Sequence, residues 1–251
     1  MKLLSSLFAA AITLTLSGCI INVNGAHAGP MDHQKKTIKI EAAGIDTLVA
    51  DTGAGDLKIQ GVAGLTQITV IADIYTYGDI KADLTLDKKG SNAKLVAEFD
   101  SNINFSRSPY IDLTIQVPAH MMLKLEDGSG DIEISNVTAN IQLEDGSGDL
   151  SIQGGNNLNI IDGSGSVSIS NTTGTLTLED GSGSINLNGI GGDTNIDDGS
   201  GDMTVTNVNG HVVIDDGSGD IEVDNTKGLS IVDSGSGDLS VDNINGSVSM
   251  N

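Results

Sequence analysis

Carboxylates at a fixed spacing are the residues of this chain best placed to do chemistry. Asp127-Gly128-Ser129-Gly130-Asp131 returns at Asp145, and as Asp-Gly-Ser-Gly-Ser at Asp162 and Asp180. It returns again at Asp198 and Asp216, and a last time as Ser234-Gly235-Ser236-Gly237-Asp238. The steps are 18, 17, 18, 18, 18 and 18 residues. Stacked coils would bring Asp127, Asp145, Asp162, Asp180, Asp198 and Asp216 into one file. Asp131, Asp149, Asp202, Asp220 and Asp238 would form a second file beside it. Calcium takes carboxylate and carbonyl oxygens in flexible geometry, so the first file is a candidate cation ladder. The bland role for the same Asp residues is to cap the turn by accepting its backbone N–H groups. Either way the carboxylates are expected beside solvent.

Other chemistry is harder to assemble. The histidines are His27, His33, His120 and His211, with no common spacing and no cysteine partner. Ser is abundant, but it sits in turns with no base nearby in sequence. A paired-carboxylate glycosidase needs only two acids, yet sugar sites usually offer aromatic platforms. Every aromatic residue here lies at or before Tyr110. No convergent catalytic constellation is legible, and the chain is expected not to be an enzyme; a glycan-active enzyme is the most distant alternative.

Cys19 is the single cysteine, so no disulfide can form within one chain. It follows Met1-Lys2 and an uncharged, mostly apolar run from Leu3 to Leu16, the pattern of an export signal. Leu16-Ser17-Gly18-Cys19 resembles the lipobox of bacterial lipoproteins. That resemblance implies a signal peptide over residues 1–18 and a lipid on Cys19. It also implies a stable membrane anchor, because several acyl chains hold where one is marginal. Ile20, rather than Asp, follows the Cys, which resembles the pattern sorted to the outer membrane. Residues 19–36 read as a flexible, lipidated tether.

The elements that must position the carboxylates are short strands. After Gly-Ser-Gly, Asp131-Ile132-Glu133-Ile134-Ser135 alternates polar and apolar residues, as a half-buried strand does. Asn140-Ile141-Gln142-Leu143-Glu144 is a second such strand. Between them stands a corner residue: Asn136, Asn171, Asn207, Asn225 and Asn243, with Gly154 and Gly189 in the other two units. Asn and Gly tolerate the left-handed conformation that a corner demands. Later second strands are expected to bury Val213 with Ile214, and Ile231 with Val232. No unit can fold alone, but stacked units share a continuous core. The predicted fold is all-β, a parallel β-solenoid of about 18 residues per coil over 125–251. At about 4.8 Å per coil, seven coils make a rod of roughly 34 Å.

Residues 37–124 form an irregular N-terminal β region. Thr52-Gly53-Ala54-Gly55-Asp56 is a degenerate copy of the repeat and is expected to be a first or capping coil. Longer strands are predicted over 67–75, 82–87, 93–99 and 110–117, with a hairpin turn at Asp87–Asn92.

The formal net charge is −22, with 34 acidic and 12 basic residues. Beyond Lys124 only Lys227 is basic, so the charge sits on the repeats. This excludes nucleic acid as a natural partner and argues against contact with an anionic membrane face.

The segment Tyr110-Ile111-Asp112-Leu113-Thr114-Ile115-Gln116-Val117-Pro118, with Leu125 and the Gly-Ser-Gly-Asp-Ile repeats, resembles the bacterial putative-adhesin family of β-strand repeat proteins. The resemblance covers residues 37–251. It implies a β-solenoid in the cell envelope and brings no catalytic residues. The expectation is an exported, lipid-anchored protein that presents a rigid acidic solenoid for binding, scaffolding or adhesion. Its partner would be an envelope protein or glycan. The alternative is a calcium-dependent module akin to β-rolls, which also use eighteen residues per coil. Here the Asp falls one place early and the second half-unit lacks the glycine-rich turn. No cofactor is required; weak calcium binding is expected to add stability. The last coil, with Val248 and Met250, is expected to have an open edge that invites end-to-end self-association.

Cys19→Ala should move the protein from the membrane to the soluble fraction, or leave its signal uncleaved. Fractionation and the mass of the mature chain check this; unchanged behaviour in both would remove Cys19 as the anchor.

Overall fold

The computed structural model describes residues 31–99 and 108–250. Twenty strands run through these residues, in chain order β1 (Asp32–Glu41), β2 (Thr47–Ala54), β3 (Leu57–Val62), β4 (Gln67–Thr76) and β5 (Ala82–Lys89). Then come β6 (Asn92–Phe99), β7 (Tyr110–Pro118), β8 (Met122–Ser129), β9 (Ile132–Val137), β10 (Ile141–Asp145), β11 (Leu150–Gly154) and β12 (Leu158–Asp162). The last are β13 (Val167–Thr172), β14 (Leu176–Asp180), β15 (Ile185–Ile190), β16 (Thr194–Asp198), β17 (Met203–Asp216), β18 (Ile221–Asp233), β19 (Leu239–Ile244) and β20 (Val248–Met250).

From β8 onward the chain is a parallel β-solenoid with two strands and two turns per coil. One column stacks β8, β10, β12, β14, β16 and the second halves of β17 and β18, ending on β20. The other stacks β9, β11, β13, β15, the first halves of β17 and β18, and β19. Equivalent residues lie one above another, as in Leu125–Leu143–Ile160–Leu178–Ile196–Ile214. That register follows from side-chain parity: a slip of one residue would turn every apolar residue outward.

The corners follow from two residue types. Asn136, Asn171, Asn207, Asn225 and Asn243 all hold φ between 52° and 58°, and Gly154 and Gly189 fill the same corner at 106° and 76°. The opposite corner is glycine for a harder reason. Gly183 has φ +145°, and a Cβ there would lie 1.6 Å from the carbonyl oxygen of Gly165 in the neighbouring coil. Gly148, Gly165, Gly201 and Gly219 meet their neighbours at 2.0 Å or less in the same way.

The core is the expected file of aliphatic residues, with two shifts of parity. Val212 rather than Val213 packs with Ile214, and Leu229 rather than Val232 packs with Ile231; Val232 is 45% exposed. Adjacent residues of a strand point to opposite faces, so only one of Val213 and Ile214, and one of Ile231 and Val232, can face the core. Leu239, Val248 and Met250 of the last described coil are exposed at 37%, 47% and 52%.

The N-terminal region departs from chain order. The degenerate copy, β2 and β3, does not cap the stack. It lies between β6–β7 on one side and β8–β9 on the other, parallel to both. The cap is built from antiparallel strands: β5 on β6, β4 on β7 and β1 on β4. The predicted hairpin is present, with Lys89 opposite Asn92 across Gly90-Ser91. Strand β1 opens at Asp32, inside the stretch read as tether. The reason is side-chain pairing with β4. His33 bonds Asp73 at 2.8 Å and stacks on Tyr75 at 4.6 Å; Tyr75 stacks on Tyr110 at 4.6 Å. Lys35 joins Asp73 at 2.9 Å. Burial alone would raise the Asp73 carboxyl, but the hydrogen bonds from Lys35 and His33 outweigh it and hold it low.

Gly183→Ala should therefore cost about 3 kcal/mol or more, since backbone rather than a side chain must give way. Asn171→Ala should cost about 1 kcal/mol, because alanine lacks the short polar side chain whose local hydrogen bonding offsets the left-handed strain in Asn. Asn171→Gly should stay within about 0.5 kcal/mol. Denaturant melts of the three variants give the order; equal losses at both positions would contradict the stacking argument.

Candidate functional site

The repeated corner gathers three files of acidic residues, each with a different fate. The first is outward. Glu126, Glu144, Glu179, Asp197 and Asp215 are exposed and in register, one per coil, with Ile161 filling the remaining place. Parity puts them there, because each follows an inward aliphatic residue. Unit charges about 4.8 Å apart repel by roughly 1 kcal/mol in water, so the file is a stripe of negative potential, broken once at Ile161. Cationic groups would relieve it.

The second file is structural. The Asp131 carboxylate accepts the Asp149 N–H at 3.0 Å, Asp149 accepts Ser166 N–H at 2.9 Å, and Asp202 accepts Asp220 N–H at 3.1 Å. Asp220 accepts Asp238 N–H at 2.8 Å, and Asp56 of the degenerate copy accepts Asp131 N–H at 3.2 Å. Each carboxylate thus fastens the neighbouring coil to its own.

The third file is the candidate cation ladder, and it does not stand beside solvent. Asp127, Asp145, Asp162, Asp180, Asp198 and Asp216 are 8%, 5%, 3%, 5%, 2% and 1% exposed. The inward alternation Leu123, Leu125 runs one step further, to Asp127, before the turn begins. Part of the capping role is present. Asp145, Asp180, Asp198 and Asp216 accept the N–H of Ser147, Ser182, Ser200 and Ser218 at 3.1 to 3.2 Å. Thr52 of the degenerate copy donates its hydroxyl to Asp127. Burial is the first cause of the upward shift of all six carboxyls. Asp127 and Asp162 are pushed up to about 7 and Asp198 to about 6. Asp145, Asp180 and Asp216 are also raised, with the turn N–H groups opposing the shift. Among the described residues, no three of His, Cys, Asp or Glu are grouped to hold a metal ion.

Sequence reasoning ended the second strand at Glu144 and so missed that Asp145 and its equivalents turn inward. The signal was present: Ile141, Leu143 and Asp145 share one parity.

The remaining candidates scatter. Cys19 and His27 lie outside the described residues, as does the export signal. His33 belongs to the cap. His120 is exposed beside the loop into β8. His211 Nε2 lies 2.8 Å from Ser230 Oγ, which also takes a bond from Ser249 Oγ at 2.9 Å. The Asp193 carboxylate accepts the His211 main-chain N–H at 2.8 Å, so it does not orient the ring. A nucleophile needs a base held by a third group, and this row does not supply one.

The family model described as Toastrack DUF4097 matches residues 12–245. No curated protein matches the sequence. Among solved structures, a protein described as a putative lipid binding protein from Parabacteroides distasonis is 15% identical. The match covers 86% of this chain and 96% of that one, with a TM-score of 0.42. One described as a putative adhesin from Bacteroides fragilis is 13% identical, covering 86% and 97%, with a TM-score of 0.38. One described as a putative cell adhesion protein from Clostridium sporogenes is 10% identical, covering 87% and 98%, with a TM-score of 0.35.

Asp149→Ala should cost about 1 kcal/mol, the net value of one such bond, and lower the melting temperature by about 2 to 4 °C. Asp149→Asn keeps an acceptor for Ser166 N–H and should recover most of the loss. A melt in which both variants match the wild type would deny the fastening role.

Proposed function

The chain belongs to the Toastrack DUF4097 family, and on that footing we propose that it is a non-catalytic binding protein of the cell envelope. It is exported, held to the outer membrane by lipid on Cys19, and presents its acidic solenoid to a partner as a scaffold or adhesive surface. The observation that carries the binding role is the outward file Glu126, Glu144, Glu179, Asp197 and Asp215, which places five charges over six coils of a rigid stack, with Ile161 in the sixth place. A stack cross-braced through the Asp131 file holds those charges at fixed spacing without ordering cost on binding. The partner that fits is an envelope protein, or a glycan, bearing cationic groups. Nucleic acid and anionic lipid surfaces are repelled. No cofactor is needed, and calcium enters only as a weak counter-ion of the exposed acids. The anchor rests on Leu16-Ser17-Gly18-Cys19.

Neutralising the stripe by Glu126→Gln, Glu144→Gln, Glu179→Gln, Asp197→Asn and Asp215→Asn tests the reading. Each surface change should alter stability by no more than about 0.5 kcal/mol. The wild type, immobilised and exposed to solubilised envelope, should retain a defined partner that salt releases; the neutralised chain should not. Equal retention by the two chains, or turnover of an envelope glycan, would overturn the proposal.

A further inference from the structure

The buried file raises a question that the outward stripe does not. Six carboxyls are enclosed in successive coils, all more than nine-tenths buried. Asp127, Asp145, Asp180, Asp198 and Asp216 each leave Oδ2 without a partner, and Asp162 leaves both oxygens without one. They stand in direct register, Asp127–Asp145–Asp162–Asp180–Asp198–Asp216. The other charged groups that bear on the file are acidic as well: Asp56 on Asp127, Asp131 on Asp145, Asp197 on Asp198, and Asp215 and Asp233 on Asp216. An unbroken row of buried anions with no cation among them is not a stable arrangement. Two close carboxylates in one dry site cannot both ionise, and an orphan buried oxygen costs free energy until a donor reaches it.

A proton answers both demands. It removes a charge, and the resulting O–H donates to the carboxylate of the next coil. Only one member of each adjacent pair needs it, so occupancy alternates along the file. The capping pattern favours one phase of alternation. Asp145, Asp180 and Asp216 accept a turn N–H, which stabilises the ionised form. Asp162 accepts none, whereas Asp127, at the end of the row, takes the Thr52 hydroxyl and a backbone bond from Ser129, which oppose its upward shift without cancelling it. Asp198 also accepts a turn N–H, from Ser200, but it stands between Asp180 and Asp216.

We propose that the inner file is a proton-binding ladder, with Asp127, Asp162 and Asp198 neutral and donating to ionised Asp145, Asp180 and Asp216, and that it makes the solenoid an acid-strengthened, pH-sensitive rod. The direction of titration agrees: the three residues assigned as neutral are those pushed up to about 7, 7 and 6. The folded chain then holds protons that the unfolded chain, with ordinary aspartates near 3.8, does not. Stability from the ladder is full below the unfolded value and is lost as pH rises through 6 to 7. This inference is independent of the anchor and of the binding role.

The full chain serves for the test. Infrared spectra near pH 6 should show the C=O stretch of protonated carboxyl groups, which exposed aspartates would not give. Unfolding near pH 5 should release about three protons, half of the six carboxyls, and above pH 8 close to none. High salt screens the outer stripe but not the buried file, so the fall in melting temperature with pH should persist there. Asp127→Asn with Asp162→Asn and Asp198→Asn supplies amide donors in place of the acid O–H groups. That variant should lose the infrared band and the proton release, and should melt higher than the wild type at pH 8. Should the variant fail to fold, the band and the proton count of the wild type decide alone. A wild type without the band at pH 6, or unfolding that releases no protons near pH 5, overturns the ladder.

Discussion

The close contact of glycine on glycine at the Gly-Ser-Gly corner governs the rest of the structure. Gly165, Gly183, Gly201 and Gly219 approach the neighbouring carbonyl so nearly that no Cβ fits. This fixes the corner of each coil directly above the corner of the last. Strands leaving a fixed corner keep a fixed register, and parallel pairing carries that register through both columns. One coil therefore places its side chains over the same side chains of the next.

Such stacking is favourable for aliphatic residues and awkward for charges. A repeat that carries an acid at one position must carry a file of acids. The molecule resolves the problem in three ways. The Glu126 file points to water, where repulsion is weak and screened. The Asp131 file binds backbone N–H groups of adjacent coils, so that its charges fasten the stack. The Asp127 file is enclosed; turn N–H groups hold the members that stay ionised, and the proposed protons would remove the charge of the others. Thr52 closes the row at the degenerate copy, where a hydroxyl replaces the carboxyl and donates to Asp127.

A stack of parallel coils needs an end that does not template further pairing. Here the N-terminal side is ended by reversal of strand direction. β4 and β5 run antiparallel to the outermost coil, and β1 covers β4. The aromatic row His33, Tyr75 and Tyr110 crosses these strands. The outer face of the cap gives the rings of Tyr75 and Tyr110 room to stack, whereas the inner file of the repeats is filled by aliphatic residues.

The sequence by itself determined everything that depends on neighbours along the chain. The step of 17 or 18 residues gave the coil, alternation gave both strands, and Asn and Gly gave the corners, because each is a local matter of sterics and parity. It also held the inward place of Asp145, since Ile141 and Leu143 share its parity. Reading that place required knowing that the strand ran on to the aspartate before turning. Only the tertiary structure decided which coil lies next to which. The chain forms β2 and β3, then departs through β4 to β7, and returns at β8; nothing local in Thr52-Gly53-Ala54-Gly55-Asp56 marks it as an inner coil. The same holds for β1, whose His33 and Lys35 are ordered by Asp73 and Tyr75, 38 to 42 residues away along the chain. Pairings at that separation are chosen by the free energy of the whole stack, and no short stretch of sequence contains them.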